Sequence, residues 1–304
     1  MSDRGRHVVA IGVFDGLHLG HAALLERALA IGRAAGAPCA VVSFDPHPDV
    51  VLARSFQAIP PLSPIPEKRA RLRAMGIERV DILPFTRELA ALEPEEFVDR
   101  HLIEPLHPIA LVVGADFALG RRRAGNVTRL AAIGETRGFT VHAIPLLEMD
   151  GAPVTSTRIR GLLSEGRVGE AGRLLGRPYD LAGRVVTGEG IGRTLGVPTA
   201  NLRLHEEKFM PGHGVYAAWS RIDGGAERVP TALSLGTRPT FDGTLPVIEA
   251  HLLDWSGDLV GRELVVELAE WLRPQARFEN AESLRAAMNE DLAHARAALK
   301  AAAL

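Results

Sequence analysis

The chain reads as two folds in series: an α/β domain on a parallel sheet, then a small antiparallel β-barrel with a terminal α-helix. Three observations predict this. The first half alternates strand-length apolar runs with helical patterns, as a parallel sheet covered by helices requires. The second half changes to short β-rich runs separated by glycine turns and ends in one long helical stripe. At 304 residues the chain is also too long for one ordinary core.

In the first half, strands are expected at 8–13, 40–44, 80–85, 111–113 and 140–144, with helices at 22–35, 67–75, 94–102 and 127–137. Ligands of such sheets bind beyond the carboxyl ends of the strands. The polar and glycine-rich stretches 14–21, 45–47, 114–116 and the region after 144 should therefore meet at one rim. Two short helices, 156–165 and 168–175, are expected to close this half. Gly176-Arg177-Pro178-Tyr179 then reads as a linker, giving domains at 1–176 and 177–304. Beyond it, β-rich runs lie at 182–186, 215–221, 228–235, 248–253 and 264–268. Leu284, Met288 and Leu292 mark 281–298 as a helix with an apolar stripe for the barrel.

Composition narrows the function classes. Hydrophobic residues make up 46% and charged residues 24%, the values of a globular protein. The net charge of −2, with no long basic block, does not favour nucleic acid as a partner. One cysteine, Cys39 in an apolar run, excludes a disulfide framework within the chain. The first residues have no apolar signal core and no run approaches ~18 apolar residues, so a cytoplasmic location without membrane association is expected.

The stretch 8–21, VVAIGVFDGLHLGH, is the most informative in the chain. An apolar strand runs into the turn Phe14-Asp15-Gly16, and His18-x-Gly20-His21 then enters a plain helix-forming sequence. Two histidines near a helix start are more often satisfied structural groups. A strand, a glycine turn and a helix around them point instead to phosphate. The helix end has unpaired N–H groups and a positive dipole, and Gly20 leaves room for an anion to approach the backbone. Zinc would need ligands four apart on the helix or a further cluster at ligand spacing, and neither is present. A second polar cluster, Thr155-Ser156-Thr157-Arg158-Ile159-Arg160, precedes another helix. Its hydroxyls can cap that helix or bind phosphate, and only one of the two arginines need face a site.

In the second half, Gly188-Glu189-Gly190-Ile191-Gly192-Arg193 is neither a dinucleotide fingerprint nor a Walker loop, since no helix and no Gly-Lys-Ser/Thr follows. By spacing alone it is a flexible glycine turn. In the next string, Thr199 and Asn201 share one face if extended. Both carry hard neutral oxygens of the kind that suit Mg²⁺.

Together these strings resemble the bacterial bifunctional riboflavin kinase/FMN adenylyltransferases. The resemblance rests on GVFDGLHLGH at 12–21, FDPHP at 44–48, VGADF at 113–117 and STRIR at 156–160 in the first half. In the second it rests on the glycine loop, GRTLGVPTANL at 192–202, and the string containing Glu249. It covers nearly the whole chain, from about residue 8 to 295.

It implies a nucleotidyltransferase domain of Rossmann-like, parallel-sheet type that transfers AMP from ATP to FMN, giving FAD and pyrophosphate. It also implies a riboflavin kinase barrel that converts riboflavin and ATP to FMN and ADP. By resemblance, His18, His21 and Arg160 are the catalytic groups of adenylyl transfer, and Glu249 is the base of the kinase. Phe14, Asp15, Gly16, Gly20, Gly114, Ser156, Thr157, Gly188, Gly190, Gly192 and Arg193 are nucleotide-binding. Asp116, Arg273 and Phe278 are flavin-binding, and Thr199 and Asn201 hold Mg²⁺. The arginine-rich loop 120–125 is either a cover for the first site or simply a solvated loop. The oligomeric state stays open.

Departures from the family strings fall at Val13, Val197, Ser234, Trp255, Val260 and Gln275. None removes a residue assigned to chemistry. Two readings from other classes fare worse. A tRNA-directed protein of the His-x-Gly-His type would carry a lysine-rich second signature, and a flavin-binding regulator would have lost Glu249, Thr199, Asn201 or the histidines.

Overall fold

The computed structural model describes residues 5–52, 60–188, 196–204, 207–240 and 243–302. It divides into two compact units, Met1–Ser156 and Thr157–Leu304.

In the first unit, β1 (His7–Ile11), β2 (Cys39–Asp45), β3 (Arg79–Pro84), β4 (Pro108–Gly114) and β7 (Thr140–Ile144) form one parallel sheet in the order β3-β2-β1-β4-β7. Two short ribbons, β5 (Ala118–Leu119) with β6 (Gly125–Asn126) and β8 (Glu148–Met149) with β9 (Ala152–Pro153), extend the loops. The helices are α1 (Leu19–Ala35), α2 (Pro48–Leu52), α3 (Ile65–Ala74), α4 (Arg87–Ala91), α5 (Pro94–Val98), α6 (Glu104–Leu106) and α7 (Val127–Arg137). A π-turn, Asp99–Ile103, joins α5 to α6 in place of the single helix expected at 94–102.

Alternation along β1 builds both faces of the sheet. Val8 and Ala10 pack with Leu24, Leu25 and Ala28 of α1 and Leu72 of α3. Val9 and Ile11 pack with Phe97, Leu102, Leu130 and Ile133 on the other side. All five expected strands are present with boundaries within a few residues. The chain moves outward from β1 to β3 and then returns to the opposite side of β1 at β4. This reversal creates a crevice between the carboxyl ends of β1 and β4, the position where open α/β sheets take ligands.

In the second unit, α8 (Ser156–Ser164) and α9 (Val168–Leu175) precede a closed antiparallel barrel. Its strands are β10 (Asp180–Val186), β11 (Ala200–Leu204), β12 (Gly214–Ile222), β13 (Val229–Thr240), β14 (Gly243–Leu252) and β15 (Glu263–Arg273), in the order β10-β11-β14-β13-β12-β15. Pairing of β10 with β15 closes it and leaves no edge. Five of these strands were expected. The sixth, β11, completes the ring between β10 and β14.

The helices expected to close the first half instead pack on the barrel. The Gly212 N–H donates to the Leu163 carbonyl at 2.9 Å, and a Cβ on Gly166 would lie 3.0 Å from the Trp271 ring. The terminal helix α10 (Ala281–Ala302) buries Ala295 and Leu299 against Ala217, Ala232 and Leu253. No helix among the described residues is long and apolar enough to cross a membrane.

Candidate functional sites on the sheet and the barrel

The turn after β1 is held by its own polar groups. Phe14, Gly16 and Leu17 all have positive φ (52°, 78° and 45°), so the chain reverses sharply before α1. The buried Asp15 accepts the N–H groups of Leu62 and Ser63 at 3.2 and 3.1 Å, which makes its carboxylate a clamp on the 62–63 segment. Its carbonyl accepts the Ser156 hydroxyl at 2.9 Å. Ser156 therefore ties its segment to this turn.

His18 is the N-cap of α1, with Nδ1 accepting the His21 N–H at 3.4 Å. That leaves Nε2 as the donor of a neutral His18 ring. The two imidazoles stack with centroids 3.7 Å apart and planes 18° apart, and Phe14 meets His21 edge-on at 5.3 Å. A Cβ on Gly20 would come within 3.2 Å of the His18 ring. A side chain at Gly20 would therefore crowd the His18 ring.

His21 Nδ1 is shut off from solvent and has no hydrogen-bond partner among the described residues. Burial holds the His21 imidazole well below the usual histidine range, with repulsion from His18 and then Lys68 adding to it. No acidic residue lies in the first turn of α1 to offset its positive end.

Lys68, on α3, was not among the expected site residues. Its ammonium donates to the Val13 carbonyl at 2.8 Å and to Ser43 Oγ at 3.4 Å, and Ser43 donates to the same carbonyl at 2.9 Å. Burial lowers the Lys68 pKa, while Asp15 and Asp45 oppose the shift.

Beyond β4, Gly114 leaves room for the carboxylate of the exposed Asp116, whose Oδ1 would lie 3.0 Å from a Cβ there. The arginine loop is tied down in this structure. Arg121 pairs with Glu93 at 3.2 Å, and Arg123 donates to the Asp116 carbonyl at 3.0 Å. Thr157 and Arg160 lie on α8 in the second unit.

On the barrel, Glu249 of β14 stands in register with Asn201 of β11 on one side and Ser234 of β13 on the other. The three side chains therefore share a face. A Cβ on Gly188 would sit 2.0 Å from the Asn201 amide, so glycine there is a condition for the Asn201 position. His251, two residues beyond Glu249, hydrogen-bonds the Pro198 carbonyl through Nδ1 at 2.7 Å, next to Thr199.

A cavity of about 290 Å³ opens beside this face. Thr199, Ser234, Glu249 and His251 line one side, and Arg273, Phe278, Leu284 and Met288 are among its other walls. Arg273 makes a two-pronged pair with the buried Asp291 of α10, both contacts 2.7 Å, and lies 5.7 Å from the centre of the Phe278 ring. Gln275 donates to Ser234 at 3.1 Å, so two positions that depart from the family strings meet each other. Of the helical stripe expected to pack on the barrel, Leu292 joins that contact and also lines the cavity, while Leu284 and Met288 line the cavity only. Gly190, Gly192 and Arg193 lie outside the described residues.

Comparison with known proteins agrees with this division. The FAD synthetase family model matches residues 1–158 and the riboflavin kinase family model matches residues 175–299. The chain belongs to the bifunctional riboflavin kinase/FMN adenylyltransferase family. Its first half is the FMN adenylyltransferase and its second half the riboflavin kinase.

A relative in Pseudomonas fluorescens bearing that family name is 40% identical over 294 residues, covering 95% of this chain and 92% of its own. Relatives of the same name in Listeria monocytogenes and Escherichia coli K12 are 35% and 36% identical, each covering 93% of this chain and 90% of its own. A solved structure from Streptococcus pneumoniae, described as a macrolide-efflux protein, superposes with a TM-score of 0.87 at 29% identity, over 96% of this chain and 94% of its own.

Proposed function

We propose that the two activities run at two chemically separate centres, with the residue roles that follow. The observation that carries this reading is the placement of Glu249 between Asn201 and Ser234 in the barrel, while the histidine turn forms on the sheet of the other unit.

In adenylyl transfer, a phosphate oxygen of FMN attacks the α-phosphorus of ATP and pyrophosphate leaves. The nucleophile is already an anion, so catalysis consists of alignment and charge stabilisation. His18 and His21 at the positive end of α1 contact the triphosphate, and Ser156, Thr157 and Arg160 help to hold it. Phe14, Gly16, Gly20 and Gly114 shape the nucleotide path, with Asp15 holding the turn and Asp116 near the flavin.

In the kinase, the riboflavin 5′-hydroxyl attacks the γ-phosphorus of ATP and ADP leaves. An alcohol gains from a general base, and Glu249 takes its proton. The glycine loop, with Gly188, Gly190, Gly192 and Arg193, binds the nucleotide. Arg273 and Phe278 bound the flavin pocket.

Among the described residues no three His, Cys, Asp or Glu side chains cluster as a metal cage. Mg²⁺ commonly keeps waters and substrate phosphates and takes only one or two protein oxygens. Thr199 and Asn201 fit that regime and would hold it, supplying charge neutralisation at the phosphates. The chemistry divides at Gly176-Arg177, into 1–176 and 177–304, and the protein works in the cytoplasm. FMN leaves the barrel and rebinds at the sheet.

The test is incubation of the pure protein with riboflavin, ATP and Mg²⁺, followed by flavin separation over time. FMN should rise first and FAD follow, and absence of both would sink the reading.

A further inference from the structure

Lys68 is buried, only 3% exposed, at a place where sequence offers no reason for a cation. A buried ammonium costs several kcal/mol unless compensated, and an apolar residue would serve α3 equally well as packing. The compensation found here lies at the histidine turn. The carbonyl of Val13, the residue before the positive-φ Phe14, accepts both Lys68 Nζ and Ser43 Oγ. The same connection supplies the Leu62 and Ser63 N–H groups to Asp15. Residues 62–68 thus grip the turn at its entrance and one step further on.

We propose that Lys68 is a positioning residue for adenylyl transfer. Its ammonium fixes the His18–His21 turn through the Val13 carbonyl and adds positive charge to that anion site. This rests on reading the turn as the adenylyl-transfer site.

The titratable and charged groups that act on His21 are His18 on its own turn and Lys68 from α3, while Asp15 and Asp45 act on Lys68. Burial first, and then both of these charges, oppose protonation of His21. The turn therefore meets ATP with its charge on Lys68 and with His21 neutral at neutral pH. Incoming phosphates favour protonation of His21, so binding couples to proton uptake.

The test uses the full chain and follows FAD formed from supplied FMN and MgATP from about pH 5.5 to 8.5. Riboflavin kinase activity is the internal control. Lys68→Met should raise the KM for ATP and cut FAD formation by roughly 10²-fold. It should also move the proton-dependent limb of kcat/KM for ATP, along which the value rises as pH falls, up toward the ordinary histidine value of ~6.5, with kinase activity unchanged. A purely structural lysine would lower thermal stability without moving that limb. If Lys68→Met does not fold, Lys68→Gln, a neutral donor, is held to the same limb shift. A folded variant with the wild-type KM and an unmoved limb overturns the proposal. Full FAD formation by His21→Ala would instead overturn the site reading, and the Lys68 proposal with it.

Discussion

In the histidine turn at the sheet rim, the proposed adenylyl-transfer site, the described groups include imidazoles, a helix N-terminus and a buried ammonium. The one carboxylate in the turn, Asp15, is occupied by two backbone N–H groups. In the barrel, the corresponding place is held by a carboxylate, Glu249, set between an amide and a hydroxyl. Both centres move phosphorus from ATP. On the proposed assignment the difference follows from the nucleophile: a phosphate acceptor needs its charge tolerated, whereas an alcohol needs its proton removed. The fold suits each task. An open parallel sheet offers a positive helix end at its switch point. A closed barrel fixes side chains on three adjacent strands in one register.

This contrast can be broken by substitution. Glu249→Ala should lower FMN formation by about 10²- to 10⁴-fold, the range for loss of a general base. Conversion of supplied FMN to FAD should persist, and a coupled assay of both activities checks this. His21→Ala should lower FAD formation by roughly 10²-fold, since charge stabilisation is lost without loss of a proton acceptor. FMN should then accumulate from riboflavin.

Gly188→Ala places a methyl where the Asn201 amide lies. It should reduce kinase activity by on the order of 10-fold with a weaker response to Mg²⁺, and leave the sheet activity alone. Asp291→Ala removes the partner of Arg273 beside the cavity. With Arg273 itself part-exposed, a stability loss of about 1–2 kcal/mol is expected, seen as a lower Tm of the barrel transition together with a higher KM for riboflavin.

The smallest effect concerns pH. Burial lowers the pKa of His21, with His18 and Lys68 adding to the shift, and burial also lowers those of His101 and His142. Below the ordinary histidine value of ~6.5 the unfolded chain binds protons that the folded one refuses. The first unit should therefore lose stability as pH falls from about 6.5 through the folded pKa values, and be insensitive to these groups above it. His21→Gln should flatten a plot of its unfolding free energy against pH by up to about 1.4 kcal/mol per pH unit.

Much of this arrangement was legible before the structure. The central strands β1, β2 and β4 are nearly unbroken apolar runs, and buried parallel strands announce themselves in that way, while Asp81 and His142 interrupt the edge strands β3 and β7. The histidine turn was legible because strand, glycine and helix signals coincide within fourteen residues. The strand β11 was not among the expected β-rich runs, because Ala200–Leu204 is short and mixes apolar with polar residues. Its pairing with β10 and β14 is a tertiary fact.

Lys68 was missed for a similar reason. Within 67–75 it sits among Glu67, Arg69, Arg71 and Arg73, and charge in a helical window reads as a solvated face. Only the fold reveals that it points inward. Periodicity marked Leu284 and Met288 as part of a stripe packing on the barrel but could not say that they stay half-buried and border a cavity. The helices at 156–175 were legible as helices, while the unit they pack on was not, since adjacency in sequence favours the preceding sheet.

The central claim, that two independent centres share one chain, is tested most directly by mixing. Glu249→Ala and His21→Ala proteins are combined with riboflavin, ATP and Mg²⁺, and flavins are separated over time. FMN made by the second protein should be released, rebound and adenylylated by the first, so FAD appears after a lag although either protein alone makes it from riboflavin about 10²-fold or more slower than the unaltered chain. A mixture that forms FMN but no FAD, while Glu249→Ala alone cannot adenylylate supplied FMN, would contradict the separation of the two sites.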